Sequence, residues 1–130
     1  MSQKPPPKQF VKTSINGTKF TILISSAKGG VGKSTVAVNL AFAFQNLGYK
    51  IGILDADVYG PSLPKLMGLK EKPKSEDGKA LKPVEKFSAQ CMSMGLLVDE
   101  QTPMIWRGPM VISALRTMTQ KVLWRDRDII

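Results

Sequence analysis

The chain has no histidine and one cysteine, Cys91, among its 130 residues. A single thiol cannot close an intramolecular disulfide, which suits a reducing compartment. Without histidine or a Cys-x-x-Cys pair, the usual zinc and iron–sulfur ligand sets cannot be assembled from one such chain. No apolar run approaches the ~20 residues of a membrane-spanning helix. The opening Met1-Ser2-Gln3-Lys4-Pro5-Pro6-Pro7 has no apolar core behind it, so no secretory signal is expected. Acid is missing from residues 1–54, which carry seven lysines; the first carboxylate is Asp55. The remaining residues hold twelve basic and ten acidic side chains, so the net charge of +9 sits early in the chain. Such an excess is a candidate for nucleic acid or an anionic membrane. The leader's lysines have few aromatic residues among them to stack on bases, so the stretch reads as a solvated tail. Neither nucleic acid nor membrane is expected as a partner. A hydrophobic content of 42% and a charged content of 22% are ordinary for one globular domain.

Residues 1–19 are rich in Lys and Pro and lack periodicity. They read as a flexible leader with a short ordered piece at Phe10-Val11. A mitochondrial transit peptide fits less well, since the leader has no arginine. Residues 20–130 are the folded part. Residues 20–26 are almost continuously apolar or β-branched, which predicts a central strand buried on both faces. Residues 35–47 follow as a helix whose Val36, Leu40, Ala43, Phe44 and Leu47 line one stripe, ended by Gly48. Residues 51–54 are a second buried strand. Strand, crossover helix and strand make a right-handed βαβ unit, hence an α/β fold with a mostly parallel sheet and flanking helices.

Between the first strand and its helix lies Ala27-Lys28-Gly29-Gly30-Val31-Gly32-Lys33-Ser34-Thr35. A strand, a glycine-rich loop and a helix in that order are the context of a phosphate-binding P-loop. Glycines let main-chain N–H groups approach phosphate oxygens, and the helix start adds its positive dipole end. Lys33 is expected to reach the β- and γ-phosphates, Ser34 to bind Mg²⁺, and Thr35 to sit near the α-phosphate. The second strand ends in Asp55-Ala56-Asp57. Carboxyl ends of strands are where open α/β sheets bind ligands, so both acids are expected beside the loop. Carboxylates there hold Mg²⁺ through its waters and orient a water on the γ-phosphate.

Further along, residues 63–67 read as a short helix closed by Gly68, and residues 70–83 as an exposed charged connection. Residues 81–84 and 90–94 are short strand candidates, with Cys91, Met92 and Met94 as core residues. Pro109 suits the first turn of a helix whose Met110, Ala114, Leu115, Met118 and Val122 share a face. Arg107 is a candidate for a phosphate or partner contact, or for a structural ion pair. Ile129-Ile130 looks like the start of a third buried strand.

The loop departs from the general P-loop at its first position, Ala27, and carries an extra lysine, Lys28. In this it resembles the deviant (SIMIBI-type) P-loop of the MinD, ParA, ArsA and nitrogenase iron-protein ATPases. The resemblance implies that Lys28 reaches nucleotide phosphates, often those of the partner subunit in a sandwich dimer. Asp55-Ala56-Asp57-Val58-Tyr59-Gly60-Pro61-Ser62, Met92-Ser93-Met94-Gly95-Leu96-Leu97 and Trp106-Arg107-Gly108-Pro109-Met110 are closer still. Together they resemble the Mrp-type ATPases, the ApbC-type or Ind-type iron–sulfur cluster carriers, from about residue 19 to residue 130. That resemblance implies an ATP-binding homodimer that holds a [4Fe–4S] cluster between subunits and passes it to apo iron–sulfur proteins. It implies that residues 27–35 bind ATP, that Lys28, Lys33 and Asp57 are catalytic, and that Ser34 and, through water, Asp55 hold Mg²⁺. The expected location is the cytoplasm, or the mitochondrial matrix in a eukaryote.

Members of that family continue with an Asp-x-Pro-Pro-Gly-Thr-Gly-Asp segment and, later, the Cys-x-x-Cys that holds the cluster. Neither occurs before Ile130. The chain is therefore expected to be the N-terminal part of such a protein, poorly soluble or paired with a separate C-terminal fragment. Two other readings stand beside this one: a ParA/MinD-like partitioning ATPase, and a non-catalytic truncated remnant.

Overall fold

Each strand's backbone must find partners, and following those partners gives the sheet its order. The computed structural model describes residues 14–57, 63–75, 77–97 and 107–130. Residues 1–13 of the leader, residues 58–62, Glu76 and residues 98–106, including Trp106, lie outside the described residues. The strands are β1 (Thr18–Phe20), β2 (Gly52–Asp55), β3 (Val84–Lys86), β4 (Ala89–Ser93) and β5 (Arg127–Ile129). β1 pairs with β5 and β2 with β4, both parallel, while β3 pairs antiparallel with β4. The Lys50 carbonyl joins the two groups. It accepts from the amides of Asp128 at 2.7 Å and Ile129 at 3.3 Å, beside a parallel bridge between Ile51 and Ile129. The order is thus β1-β5-β2-β4-β3, with every strand but β3 running the same way.

The helices are α1 (Lys33–Asn46), α2 (Leu63–Met67), α3 (Met94–Leu97) and α4 (Gly108–Arg116), the last continued by a π-helical stretch, Thr117–Lys121. They cover both faces of the sheet. On one face Ile51, Ile53, Cys91, Leu63 and Met67 form a core against α1 and α2. On the other, Met92, Met94, Met118, Val122 and Trp124 form a second core with Ala114 and Leu115 of α4. Neighbouring residues Cys91 and Met92 fall in different cores because successive side chains of a strand point to opposite faces. β4 is buried along its whole length, as expected of a strand covered on both sides. Trp124 is buried, and its indole N–H donates to the Met118 carbonyl at 3.1 Å.

Three expectations are corrected. The strand predicted over residues 20–26 is shorter and earlier. Beyond Phe20 the ladder continues only through Ile22, whose amide donates to the Ile130 carbonyl at 2.9 Å. Neither Ile22 nor Leu23 is buried; Leu23 is 86% exposed, because β1 is an edge strand whose outer side has no partner among the described residues. The stripe predicted for α1 is only partly its inner face. Phe44 packs on the core beside Val38, Ala41 and Phe42, and Leu40 lines the gap between helix and sheet, while Val36, Ala43 and Leu47 are exposed. The helix is apolar almost all round, so periodicity alone does not choose its inner face. Finally, the strand expected over residues 81–84 is Val84–Lys86, with Leu81 making isolated bridges to Ser75 and Val122.

A cavity of about 200 Å³ separates α1 from the sheet, lined by Ile22, Leu23, Leu40, Phe44, Ile53 and Ile130 among others. No helix among the described residues is long and apolar enough to cross a membrane.

Candidate nucleotide site

The loop that follows the first strand is built by local chemistry. Ser26 Oγ donates to the Lys28 carbonyl at 2.7 Å, folding the loop back on itself. Gly30 and Gly32 take φ values of 73° and 90°, left-handed conformations that side chains with a Cβ rarely adopt. Gly32 caps α1: its carbonyl accepts from the Val36 amide at 3.0 Å in the first helical bond. A Cβ built on Gly29, Gly30 or Gly32 would meet nothing within 4 Å. The loop therefore stands open, with unhindered backbone along one side.

That opening is a cleft of about 590 Å³, lined by residues 26–30 and 32–35 of the loop together with Asp57 and Leu66. Lys28, Lys33, Ser34 and Thr35 all reach it. Lys33 Nζ lies 3.8 Å from Asp57 Oδ2, and both side chains are about one-third exposed, 32% and 30%. An ion pair that wet contributes little stability. Its significance is placement: a cation at a helix start and a carboxylate from the neighbouring crossover unit face each other across one opening. The parallel sheet brings them together, since β1, β5, β2 and β4 all end on this side.

Asp55 does not line this cleft; it lines the cavity beneath α1, whose wall it shares with Lys33 and Ser34 of the loop. Its Oδ1 accepts from the Asp57 amide, and its Oδ2 from the Leu63 amide and the Ser93 hydroxyl, each at 3.1 Å. The carboxylate is engaged by main chain and by a neighbouring strand, which bears on its expected place in a Mg²⁺ shell. Arg107 is exposed at the start of α4, and no ion pair involving it occurs among the described residues.

A Mg²⁺ ion bound with a triphosphate needs one or two protein oxygens and keeps most of its waters. Ser34 and Asp57, both on the cleft wall, fit that modest demand. No group of three or more His, Cys, Asp or Glu side chains able to hold a metal occurs among the described residues. Cys91 is buried, and that burial pushes its thiol up to about 12.

Sequence reasoning missed Ser26, Leu66 and Ser93. Ser26 carried a readable signal, a hydroxyl two residues before the loop's first lysine. Leu66 carried none, and Ser93, though it lies in one of the family motifs, gave no sign of its partner, because their positions depend on the packing of α2 and the pairing of β4.

Comparisons with known proteins place the chain in a family. The family model described as "ParA: NUBPL iron-transfer P-loop NTPase" matches residues 17–130. An Arabidopsis thaliana "iron-sulfur protein required for NADH dehydrogenase, mitochondrial" is 53% identical over 89% of this chain and 37% of its own length. A Helicobacter pylori "iron-sulfur cluster carrier protein" is 48% identical, over 95% of this chain and 34% of its own. Among solved structures, a nucleotide-binding protein from Archaeoglobus fulgidus in complex with ADP superposes with a TM-score of 0.72 at 36% identity. That match spans 86% of this chain and 42% of the other. The chain thus spans about a third of the length of the curated relatives it matches. With the match covering nearly everything from Gly17 onward, the chain belongs to the NUBPL-type iron-transfer P-loop NTPase family.

Proposed function

We propose that this chain supplies the nucleotide-binding half-site of an iron–sulfur cluster carrier. Residues 27–35 bind ATP, with Lys28 and Lys33 on the phosphates, Ser34 on Mg²⁺ and Thr35 near the α-phosphate. Asp57 orients the water that attacks the γ-phosphate. The observation that carries this reading is the 3.8 Å approach of Asp57 to Lys33 across the open glycine loop. The ADP complex of the Archaeoglobus fulgidus relative supports the choice of ligand. Bound Mg²⁺ would neutralise phosphate charge; the chain's part is to hold the phosphates, the ion and the water in line.

In the whole protein the nucleotide joins two copies in a homodimer, and a [4Fe–4S] cluster is the cargo delivered to apo iron–sulfur proteins. The names of the relatives, an iron–sulfur carrier in a bacterium and a mitochondrial iron–sulfur protein in a plant, support that cargo and a cytoplasmic or matrix location. The cluster's ligands come from outside this stretch, since its one thiol is buried and held protonated. The exposed apolar surface of Phe20, Leu23, Val36 and Leu47 is covered by the remaining two-thirds of the family's length, in the same or a separate chain. Thr18 and Lys19 belong to the folded domain and not to the basic leader, since β1 pairs with β5 from Thr18 onward.

Fluorescent ATP-analogue titration tests the site. The wild-type chain should bind in the presence of Mg²⁺, and Lys33→Ala should weaken binding at least tenfold, the loss of a charge-assisted phosphate contact. Equal binding by both proteins would remove the assignment. Iron and sulfide content after anaerobic reconstitution, with the C-terminal part present, tests the cargo.

A further inference from the structure

We propose that Ser93 and Asp55 are positioning residues that set the Asp57 carboxylate opposite Lys33. Strand register puts Asp55 of β2 directly beside Ser93 of β4. Ser93 is fully buried, so its hydroxyl needs partners, and it has two. It accepts from the Gly95 amide at 3.1 Å and spends its single proton on Asp55 Oδ2, also at 3.1 Å. That bond, with the Leu63 amide on the same oxygen, fixes the orientation of the Asp55 carboxylate. The other oxygen, Oδ1, is then aimed at the Asp57 amide two residues on. An ionised acceptor makes each of these bonds stronger than a neutral one. The chain of contacts runs from a rigid central strand to the backbone of Asp57, and Asp57 alone of these residues meets Lys33. Ser93 touches no part of the phosphate cleft, so it acts only through Asp55.

The consequence for nucleotide chemistry rests on the ATP-binding reading; the positioning itself does not, and it is tested without nucleotide. Hydrogen exchange at the Asp57 amide should speed up roughly tenfold in Ser93→Ala, the worth of about one hydrogen bond. Ser93→Thr, which keeps the hydroxyl, should restore it, and the Cys91 amide in β4 should stay protected in both. If Ser93→Ala unfolds, seen as lost protection at Cys91, Asp55→Asn gives the same reading with the side chain's shape kept. Unchanged exchange at Asp57 in the folded variant would overturn the proposal. In ATP-analogue titrations, Ser93→Ala should reduce the gain in affinity on adding Mg²⁺ roughly fivefold, and should do nothing further in an Asp57→Asn background. A full Ser93→Ala effect in that background would also overturn the proposal. Equal analogue binding by wild type and Lys33→Ala would instead sink the ATP reading, leaving the exchange result to decide the positioning.

Discussion

Gly29 offers a substitution whose effects on folding and on ligand binding should have opposite signs. Its φ is not in the left-handed region, and a Cβ there would meet no atom within 4 Å. In the free protein, Gly29→Ala therefore costs no strain and no clash. It removes freedom from the unfolded chain, which should stabilise the fold by about 0.4–1 kcal/mol. For a domain of this size that is a rise in thermal midpoint of about 2–6 °C. The bound state differs. If phosphate oxygens come up to the loop's main chain, the new methyl occupies their space. Overfilling a fitted site costs about 1–3 kcal/mol, a loss of roughly five- to 150-fold in affinity. Gly32→Ala is the contrast. Its φ of 90° penalises any Cβ, by about 1–2 kcal/mol for a left-handed residue, so its thermal midpoint should fall even without ligand. The assay is differential scanning fluorimetry with and without nucleotide, alongside fluorescent ATP-analogue titration in Mg²⁺. Gly29→Ala binding the analogue as tightly as wild type would refute the claim that phosphate lies against this part of the loop. A drop in its midpoint without ligand would refute the reading of the free loop.

Other outcomes follow from single features. Phe87 and Ser88 form the β3–β4 turn with φ of 50° and 63°, the two left-handed positions of a hairpin turn that favours Asn-Gly. Ser88→Gly should raise stability by about 1 kcal/mol in urea unfolding, and no gain would argue that the turn is relaxed. Cys91, with its thiol pushed up to about 12 by burial, should react with a disulfide reagent only as fast as the protein opens. Between pH 7 and 9 its labelling should lack the steep rise of a free thiol near pH 8.5 and should become fast in urea. Asp128 is held below the usual carboxylate range by the Lys50 N–H and then by the Lys19 ammonium. A lowered folded-state value means this stabilisation is present at neutral pH and is lost as pH falls through that value. Asp128→Asn should therefore unfold at lower urea than wild type at pH 7, with the gap narrowing toward pH 3; a gap independent of pH would assign the effect to packing.

The site was legible because its parts lie close together in sequence. A strand, a glycine loop and a helix start are contiguous, and the acids come one crossover later, so Lys33, Ser34 and Asp57 could be read without knowing the sheet order. Ser93 could not. It enters only because β4 pairs with β2 in a register that sets it beside Asp55, and a register between residues 38 apart in the chain leaves no local trace. The same limit separated Asp55 from Asp57. Their spacing as Asp-x-Asp treats them alike, whereas strand pairing turns one into the network with Ser93 and leaves the other facing the cleft.

The two segments read least well, residues 20–26 and α1, failed for one shared reason. Both are apolar on more sides than the described residues cover. A run such as Phe20-Thr21-Ile22-Leu23-Ile24 asks for neighbours on both edges and both faces; β5 supplies one edge, and Leu23 stays exposed. Val36, Ala43 and Leu47 belong to the stripe that the helical spacing predicts, yet they face away from the core that Val38, Ala41, Phe42 and Phe44 contact. A helix with two apolar stripes is built to be packed from two directions. The sequence pattern is thus consistent with a larger α/β core than these residues complete, and it places the uncovered surface beside the first strand, next to the loop whose geometry the nucleotide depends on. Cover for that surface should therefore also steady the loop: adding the remaining family segment should slow hydrogen exchange at Ile24 and Leu40 together with the amides of residues 28–32, and protection at the first pair without the second would separate the apolar face from the site.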